Sequence, residues 1–259
     1  MTDLLVVDRG AVRTITLNRT ESLNGLTHEL ALQIVGAITG GTSANVFVLT
    51  GTAGAFCSGL DLKDAMKRGL TPGPELRAQL SESFHGVIRA LRTCGVPTIA
   101  AVDGPAAGFG CDLALACDLR ICSERATFGE VFIKRGLMPD GGSTFLLPRI
   151  VGLGRALELF FTGDVIDAQE ALRIGLANRI YPAAELEERV AELADRFAAG
   201  PPLAFELLKN TVYDNLDETS LARALDREAD GQMQLLASKD FAEGVMAFLQ
   251  KRAPKFQGH

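Results

Sequence analysis

The chain of 259 residues is 47% hydrophobic and 22% charged, and its formal net charge is −6 at pH 7. This composition is that of a folded globular protein, and it excludes wholesale disorder. The acidic balance and the absence of a basic run argue against a nucleic-acid partner. The most apolar long stretch, residues 98–117, is interrupted by aspartates, a proline and glycines, so no membrane-spanning segment is expected.

The cysteines and histidines indicate neither a disulfide framework nor a metal site. The five cysteines are odd in number, and no two of them have C-x-x-C spacing. The N-terminal residues do not contain a charged segment followed by an apolar one, as a secretory signal would. We therefore expect reduced thiols in a cytoplasmic protein. No histidine neighbours a cluster of carboxylates or thiols, so no bound metal is expected.

Strand and helix patterns alternate in the first part of the chain. Two apolar runs about residues 8–10 predict a β-hairpin, and residues 27–39 have a helical repeat of apolar positions. Residues 46–50 read as a short buried strand, residues 75–92 as an amphipathic helix, and residues 98–102 as another buried strand. Strand, glycine-containing loop and helix thus follow one another more than once, which is typical of an α/β fold.

The pattern becomes almost purely helical after the sequence Gly-Pro-Pro at residues 200–202. Apolar residues recur at three- and four-residue intervals over residues 203–216, 220–236 and 241–252. Because two adjacent prolines interrupt regular structure, we place a boundary there. The chain is divided into a core over residues 1–200 and a helical region over residues 201–259.

Two common classes of catalytic motif are absent. Gly108-Phe109-Gly110 lacks the third glycine of the dinucleotide-binding fingerprint, because residue 113 is leucine. The sequence contains no Walker A motif. Hydride transfer with a nicotinamide cofactor and nucleotide hydrolysis are therefore not expected.

Two glycine-containing loops are the candidate functional segments. The first covers residues 54–62 (GAFCSGLDL), and the second covers residues 103–112 (DGPAAGFGCD) and opens a short apolar helix. The first N–H groups of a helix have no internal acceptor and lie at the positive end of its dipole, so they suit a developing oxyanion. The alternative is that these glycines only allow tight turns under close packing. Spacing alone does not decide between the two.

Several long blocks of the sequence strongly resemble the enoyl-CoA hydratase/isomerase (crotonase) family. They are NRTESLNGL at residues 18–26, AFCSGLDL at residues 55–62, residues 96–152, residues 171–182 and the tail at residues 240–256. The resemblance implies a spiral of ββα units, followed by C-terminal helices that support a homotrimer or homohexamer. It also implies an acyl-CoA thioester as substrate, with coenzyme A as part of that substrate and no separate cofactor.

The resemblance assigns roles to both loops. It implies that the two N–H groups of an oxyanion hole belong to Cys57 and Phe109, and that Ser58, Gly59 and Leu60 contact the substrate. Many relatives have glycine at the position of Phe109, but any residue except proline keeps the backbone donor. An alternative role for Cys57 is that of a nucleophile. No basic neighbour is evident that would lower the pKa of its thiol, so the backbone role is favoured.

The acidic positions bear on which reaction the protein catalyses. Family hydratases carry two glutamates; the first position matches Asp112 here, and the second matches Phe132, which cannot transfer a proton. Glu130 is an alternative second acid if its segment is a strand, because residues 130 and 132 would then face the same side. A structural role for Glu130 is favoured. Hydration through Asp112 and Glu130 is therefore kept as the alternative function.

Asp140 resembles the proton-transferring aspartate of family isomerases, including phenylacetate-pathway ring-epoxide isomerases, through the stretch GLMPDGGST at residues 136–144. The alternative is that Asp140 turns the chain or caps a helix starting near Ser143. Because the second glutamate is missing, we favour an enoyl-CoA isomerase in which Asp140 moves the proton. A non-catalytic acyl-CoA-binding or RNA-binding relative is a further alternative.

Three other residues have a predicted place. Asp61 is expected to be a structural acid that accepts hydrogen bonds from nearby backbone N–H groups. Phe248 and Lys251 match tail positions that contact coenzyme A in some relatives. The alternative for these two is a core phenylalanine and a solvated lysine.

Overall fold

The computed structural model describes residues 2–259. Within this range the chain forms nine β-strands and twelve α-helices. The strands are β1 (Leu4–Arg9), β2 (Val12–Leu17), β3 (Val46–Gly51), β4 (Thr98–Val102), β5 (Pro105–Ala107), β6 (Leu119–Ser123), β7 (Thr127–Gly129), β8 (Val165–Asp167) and β9 (Arg179–Tyr181). One sheet has the order β1-β2-β3-β4-β6-β9, and a second sheet has the order β5-β7-β8.

The helices surround these sheets and form most of the C-terminal part of the chain. They are α1 (His28–Thr39), α2 (Leu62–Arg68), α3 (Pro74–Glu82), α4 (Phe84–Thr93), α5 (Phe109–Ala116), α6 (Ser143–Val151), α7 (Leu153–Thr162), α8 (Ala168–Arg173), α9 (Ala183–Ala198), α10 (Pro202–Asn215), α11 (Leu221–Leu236) and α12 (Lys239–Gln250). None of the helices within residues 2–259 combines the length and the apolar character that crossing a bilayer requires.

The central strands β3 and β4 of the larger sheet are buried on both faces, which explains why they are continuous apolar runs. Successive side chains of β3 alternate between two hydrophobic clusters. Val46 and Val48 pack with side chains of α9, whereas Phe47 and Leu49 join the main core on the other face. From β2 to β9, neighbouring strands in this sheet are parallel, and only β1 and β2 form an antiparallel hairpin.

Two successive strand pairs stack and thereby position the functional loops. β4 leads into β5 and then α5, while β6 leads into β7. β4 lies beside β6 in the first sheet, and β5 lies beside β7 in the second, with both pairs parallel. The chain therefore advances as a spiral of ββα units, as predicted, and the carboxyl end of β5 delivers the start of α5.

Most predicted elements are confirmed, including the N-terminal hairpin, the strands β3 and β4, the short buried helix α5 and the three C-terminal helices. The single helix predicted over residues 75–92 is wrong, because the chain breaks at Ser83 into α3 and α4. The Ser83 hydroxyl donates to the Gln79 carbonyl at 2.7 Å, a local bond that competes with helix continuation. The predicted boundary near residue 200 falls at the turn before α10, and the division into two regions stays a prediction.

Candidate active site

A cavity of about 400 Å³ lies between the two glycine-containing loops, α4 and the segment from residue 131 to residue 140. Its walls are mainly apolar, with the rings of Phe84, Phe109 and Phe132 among the side chains that line it. The rings of Phe84 and Phe109 meet edge to face, with centroids 5.3 Å apart. This is the kind of concave, apolar site in which a few polar groups fix a small ligand.

The two loops press together at the inner end of this cavity. Cys57 pairs with Ala106 in an isolated parallel β-bridge. A Cβ on Gly110 would lie 2.1 Å from the carbonyl oxygen of Cys57, so no other residue fits there without moving the backbone. The glycines therefore allow close packing, as one interpretation of these loops predicts. The same loops also border the cavity, so this interpretation is compatible with a functional one.

The backbone N–H groups of Leu60 and Phe109, which both line the cavity, have no hydrogen-bond acceptor among the described residues. The N–H of Phe109 is unpaired because Phe109 is the first residue of α5. Leu60 is paired with Leu26 by a parallel bridge, in which Gly59 O accepts from Leu26 N and Asp61 N donates to Leu26 O. This pairing uses the groups on either side of Leu60 and leaves its own N–H directed away from Leu26.

The prediction that the N–H of Cys57 is one of the two oxyanion donors is wrong. Its N–H donates to Pro105 O at 3.0 Å, and the residue is fully buried. The cavity lining from the first loop starts one residue later, at Ser58, and includes Gly59 and Leu60 as expected. Burial raises the pKa of the Cys57 thiol to about 12, which also excludes a thiolate nucleophile near neutral pH.

Asp140 lies at the cavity wall, on the segment between a buried Pro139 and the start of α6. The residue before α6 is Gly142, and no side chain caps that helix, so the capping alternative for Asp140 is wrong. Asp140 is an exposed residue, but the wall beside it partly desolvates its carboxyl and raises its pKa, and the attraction of nearby His85 partly opposes this effect. The predicted position of Asp140 at the site is therefore found.

Asp112 and Glu130 are buried behind the cavity and do not line it. Gly141 N donates to Asp112 Oδ2 at 3.2 Å, and the Ser143 hydroxyl donates to Glu130 Oε2 at 3.3 Å. Burial raises the pKa of Asp112 to about 7, and it raises the pKa of Glu130 well above its usual value. The structure does not bring Asp112 to the cavity beside Asp140, so direct contact of Asp112 with a substrate is not supported.

The strand that would place Glu130 and Phe132 on one face is absent. β7 ends at Gly129, and Val131–Arg135 form a 3₁₀ helix instead. Glu130 therefore points into the protein interior, whereas Phe132 lines the cavity. The alternative hydratase site required residues 130 and 132 to face the same side of a strand, and this expectation is wrong.

Phe248 and Lys251 do not line the cavity within one protomer. Phe248 lies near the end of α12 and is 82% exposed, so the alternative of a core phenylalanine is wrong. It borders a separate apolar groove of about 460 Å³ between the C-terminal helices. Contact of these two residues with coenzyme A stays a prediction.

Asp61 has the structural role that was predicted. Its carboxylate caps α2 by accepting hydrogen bonds from the N–H groups of Lys63 and Asp64, each at 3.1 Å. It also forms a salt bridge of 2.9 Å with Arg19. Within residues 2–259, no cluster of three His, Cys, Asp or Glu side chains is arranged to hold a metal ion.

Comparison with known proteins agrees with this architecture. The family model for enoyl-CoA hydratase/isomerase matches residues 8–259. A probable enoyl-CoA hydratase of Rhodobacter capsulatus is 40% identical over 94% of this chain and 93% of that protein. The 1,2-epoxyphenylacetyl-CoA isomerase of Escherichia coli is 35% identical over 97% of both chains. The crystal structure of an enoyl-CoA hydratase from Bacillus anthracis superimposes with a TM-score of 0.93 at 34% identity, covering 100% of each chain.

The spiral core and C-terminal helices are those of a crotonase-fold protein. The chain belongs to the enoyl-CoA hydratase/isomerase family, whose members process acyl-CoA thioesters. The predicted family and fold are confirmed. Because the relatives carry both hydratase and isomerase names, they do not decide which reaction this protein catalyses.

Proposed function

We propose that the protein is an enoyl-CoA isomerase, which moves a proton between two carbons of a bound acyl-CoA thioester through an enolate. The observation that carries this proposal is that Asp140 is the one carboxylate among the described residues lining the cavity. A single acid that removes a proton and returns it at another carbon is sufficient for a double-bond shift. The residue at the position of the second hydratase glutamate is Phe132, which cannot transfer a proton.

The thioester oxygen binds between the N–H groups of Leu60 and Phe109. Both donors lack an acceptor within residues 2–259, and the second lies at the positive end of α5. When a proton leaves the carbon next to the carbonyl, negative charge develops on this oxygen, and the two fixed donors stabilise it. Removal of one such donor from an enzyme typically lowers the rate by roughly 100- to 1,000-fold.

Asp140 is the base that removes the proton and the acid that returns it. A base working near neutral pH benefits from a raised pKa, and partial desolvation by the cavity wall has this effect on Asp140. The rings of Phe109 and Phe132 make the wall of the same space apolar. Protonated Asp140 then returns its proton to another carbon of the enolate, which shifts the double bond and regenerates the carboxylate.

Lys134 and Arg135 supply positive charge for the coenzyme A part of the substrate. Both line the cavity and both are exposed. Coenzyme A carries several phosphate charges, while the protein as a whole has a net charge of −6, so local cations matter for binding. The acyl chain then extends into the apolar part of the cavity.

The test is identification of products from a panel of enoyl-CoA thioesters in heavy water, by NMR and mass spectrometry. We expect positional isomers that carry deuterium at the carbon next to the carbonyl or at the allylic carbon. A hydroxyacyl-CoA as the main product would overturn the isomerase proposal in favour of hydration. Failure of acetoacetyl-CoA to bind, measured by calorimetry at millimolar concentration, would contradict acyl-CoA recognition itself.

Hydration is the second candidate, because the Rhodobacter capsulatus relative is named a probable hydratase. The acids available for it are Asp112 and Glu130, which are 0% and 2% exposed and lie outside the cavity. A water molecule held by this pair would not meet a substrate in the cavity. The isomerase is therefore the function that the geometry supports best.

A further inference from the structure

Two carboxyl groups that the proposed reaction does not use converge on the segment carrying Asp140. Asp112 lies in the first turn of α5, and Glu130 lies between β7 and the 3₁₀ helix that follows it. Asp112 accepts a hydrogen bond from Gly141 N, and Glu130 accepts one from the hydroxyl of Ser143. Both carboxyl groups therefore bind the residues that come directly after Asp140.

The contact with Asp112 is tight. A Cβ on Gly141 would lie 2.4 Å from Asp112 Oδ2, so the backbone of the segment rests directly on this carboxyl. Ser143 is 0% exposed and begins α6. The position of Asp140 at the cavity wall is thus fixed from behind by two side chains that lie outside the cavity.

The surroundings of the pair do not accommodate two negative charges. Asp112 Oδ1 and Glu130 Oε1 are both buried and have no hydrogen-bond partner among the described residues. The cavity beside Glu130 has a volume of only about 10 Å³, and its lining, which includes Phe128 and Leu147, is apolar apart from Cys111 and Glu130 itself. A water molecule needs at least about this volume together with two or more polar partners. Two ionised carboxylates in a dry site repel each other, so one of them keeps its proton.

The charged and titratable groups around the pair are few. Asp140 faces Asp112 from the segment before α6, and Cys111 faces Glu130 from α5. His85, on α4, lies near Asp140. None of the salt bridges among residues 2–259 involves Asp112 or Glu130. No cation therefore neutralises the pair directly.

The donors decide which member of the pair carries the charge. Asp112 accepts a backbone N–H and lies against the N-terminal end of α6, where the helix dipole favours a negative group. Glu130 accepts from side chains alone, the hydroxyl of Ser143 and the thiol of Cys111. In agreement with this difference, burial and the neighbouring Asp112 raise the pKa of Glu130 well above its usual value, whereas the pKa of Asp112 is about 7.

We propose that Glu130 and Asp112 form a buried carboxyl pair in which Glu130 stays protonated, and that this pair is a positioning device for Asp140. The inference rests on the proposed function, because it assigns Glu130 and Asp112 a role in holding the base of that reaction. Glu130 touches no substrate. It acts through Ser143, and Asp112 acts through Gly141, on the backbone that places the Asp140 carboxyl at the cavity wall.

The first test uses Glu130→Gln and needs no substrate. Glutamine is neutral, so it mimics a protonated glutamate and keeps an acceptor for Ser143. We expect the infrared band of a buried, protonated carboxylic acid in the wild-type protein at neutral pH, and a clear decrease of this band in Glu130→Gln, in which only the partly protonated Asp112, with its pKa of about 7, still contributes. The matched control is Glu124→Gln, on an exposed turn, which should leave this band unchanged.

The second test is the pH dependence of the melting temperature. A carboxyl whose pKa is raised on folding contributes stability below its unfolded pKa, and this contribution is lost as pH rises towards the folded pKa. A glutamine side chain does not ionise, so the variant does not lose this stability as pH rises. We therefore expect the melting temperature of Glu130→Gln, relative to the wild type, to increase as pH is raised from about 5 to about 9. Glu124→Gln should show a constant difference.

The third test connects the pair to catalysis. Glu130→Ala removes the bond to Ser143, and we expect kcat to fall by about tenfold or more while KM changes little, because a small misplacement of a catalytic group is costly. Glu130→Gln should recover most of this loss. If Glu130→Ala does not fold, the infrared and melting measurements on Glu130→Gln still decide the question.

Three results would overturn the proposal. They are an unchanged infrared band in Glu130→Gln, a melting difference that does not vary with pH, and loss of the band in Asp112→Asn but not in Glu130→Gln. The first two tests are independent of turnover. A protein that passes them and shows no isomerisation would disprove the proposed function while leaving the protonated pair in place.

Discussion

Gly59 lies against the start of α5 so closely that a Cβ on it would be 3.2 Å from Phe109 N and 2.6 Å from Ala107 O. Its φ of +91° is also in a region that side chains rarely adopt. The missing side chain allows the first loop to meet the second directly before Leu60, whose N–H is unpaired. The geometry of the proposed oxyanion hole thus depends on a residue that contributes no hydrogen bond to it.

Gly59→Ala should therefore disrupt catalysis more than folding. The new methyl group must displace the backbone at Ala107 or Phe109, which separates the two N–H donors. We expect kcat for isomerisation to fall by about 100-fold, the lower end for loss of one oxyanion donor. The control is Gly36→Ala, since a Cβ on this exposed helical glycine meets no atom within 4 Å. Equal activity of Gly59→Ala and the wild type would contradict the assignment of Leu60 and Phe109.

The sequence identified the loop but not the donor within it. Glycines and family resemblance selected residues 54–62, and the glycine turn of the second loop predicted a short helix, which is α5 and begins within that loop at Phe109. Which N–H of the first loop is unpaired depends on the bridge between Leu60 and Leu26 and on the bond from Cys57 N to Pro105 O. Both partners are distant along the chain, so no local pattern records them.

The acidic residues also show where prediction from the sequence ends. Asp140 was located correctly because its resemblance to isomerase aspartates is a property of neighbouring residues. The separation of Glu130 from Phe132 was missed, because it follows from β7 ending at Gly129 and a 3₁₀ helix beginning two residues later. A change from strand to 3₁₀ helix within so few residues is set by packing rather than by local periodicity.

Replacement of Lys134 and Arg135 by alanine should weaken binding of coenzyme A. Both cations line the cavity, and hydrogen bonds to charged groups are stronger than neutral ones. We expect the Kd of free coenzyme A, measured by calorimetry at low salt, to rise by about tenfold. Replacement of Arg179 and Arg196 by alanine, at two exposed positions outside the cavity, is the matched loss of two positive charges and should leave the Kd unchanged. An equal rise in the Kd of coenzyme A for the test and control variants would mean that binding depends on the net charge of the protein rather than on these two positions.

The C-terminal helices should associate with other copies of this chain. Their large exposed apolar side chains include Leu208, Val212, Leu221, Leu225, Phe248 and Leu249. Exposed apolar surface of this extent is typical of association sites, and family resemblance implies a homotrimer or homohexamer. Light scattering over a range of concentrations checks this expectation. Truncation before Pro201 should give insoluble protein, whereas a full-length monomer stable to dilution would defeat the prediction.

Hydration of crotonyl-CoA should be slow. Phe132 occupies the cavity wall where a second acid would be needed, and Asp112 is buried behind that wall. We expect turnover below about 1 per second, the lower end of typical enzyme rates, measured by loss of enoyl absorbance. Phe132→Glu should raise this rate, and Phe132→Leu, which keeps an apolar wall, should not. Rapid hydration by the wild-type protein would show that water reaches the substrate by another route.

Asp140→Asn tests the residue on which the proposed chemistry depends. Asparagine has nearly the same shape as aspartate but no usable base, and the structure gives Asp140 no capping role that this change would disturb. We expect unchanged affinity for acetoacetyl-CoA and a loss of isomerisation by at least about 100-fold, the low end for general acid–base catalysis. Deuterium exchange at the substrate carbon should fall in parallel, because it reports the same proton removal.

The pH profile and a second variant complete this test. Because the base must be ionised, wild-type turnover should fall as pH decreases through the raised pKa of Asp140. Asp112→Asn should cost less than Asp140→Asn, since Asp112 touches the backbone of Gly141 rather than the cavity. If Asp140→Asn keeps wild-type turnover while Asp112→Asn abolishes it, Asp112 is the base. The buried position of Asp112 would then have to open during each catalytic cycle.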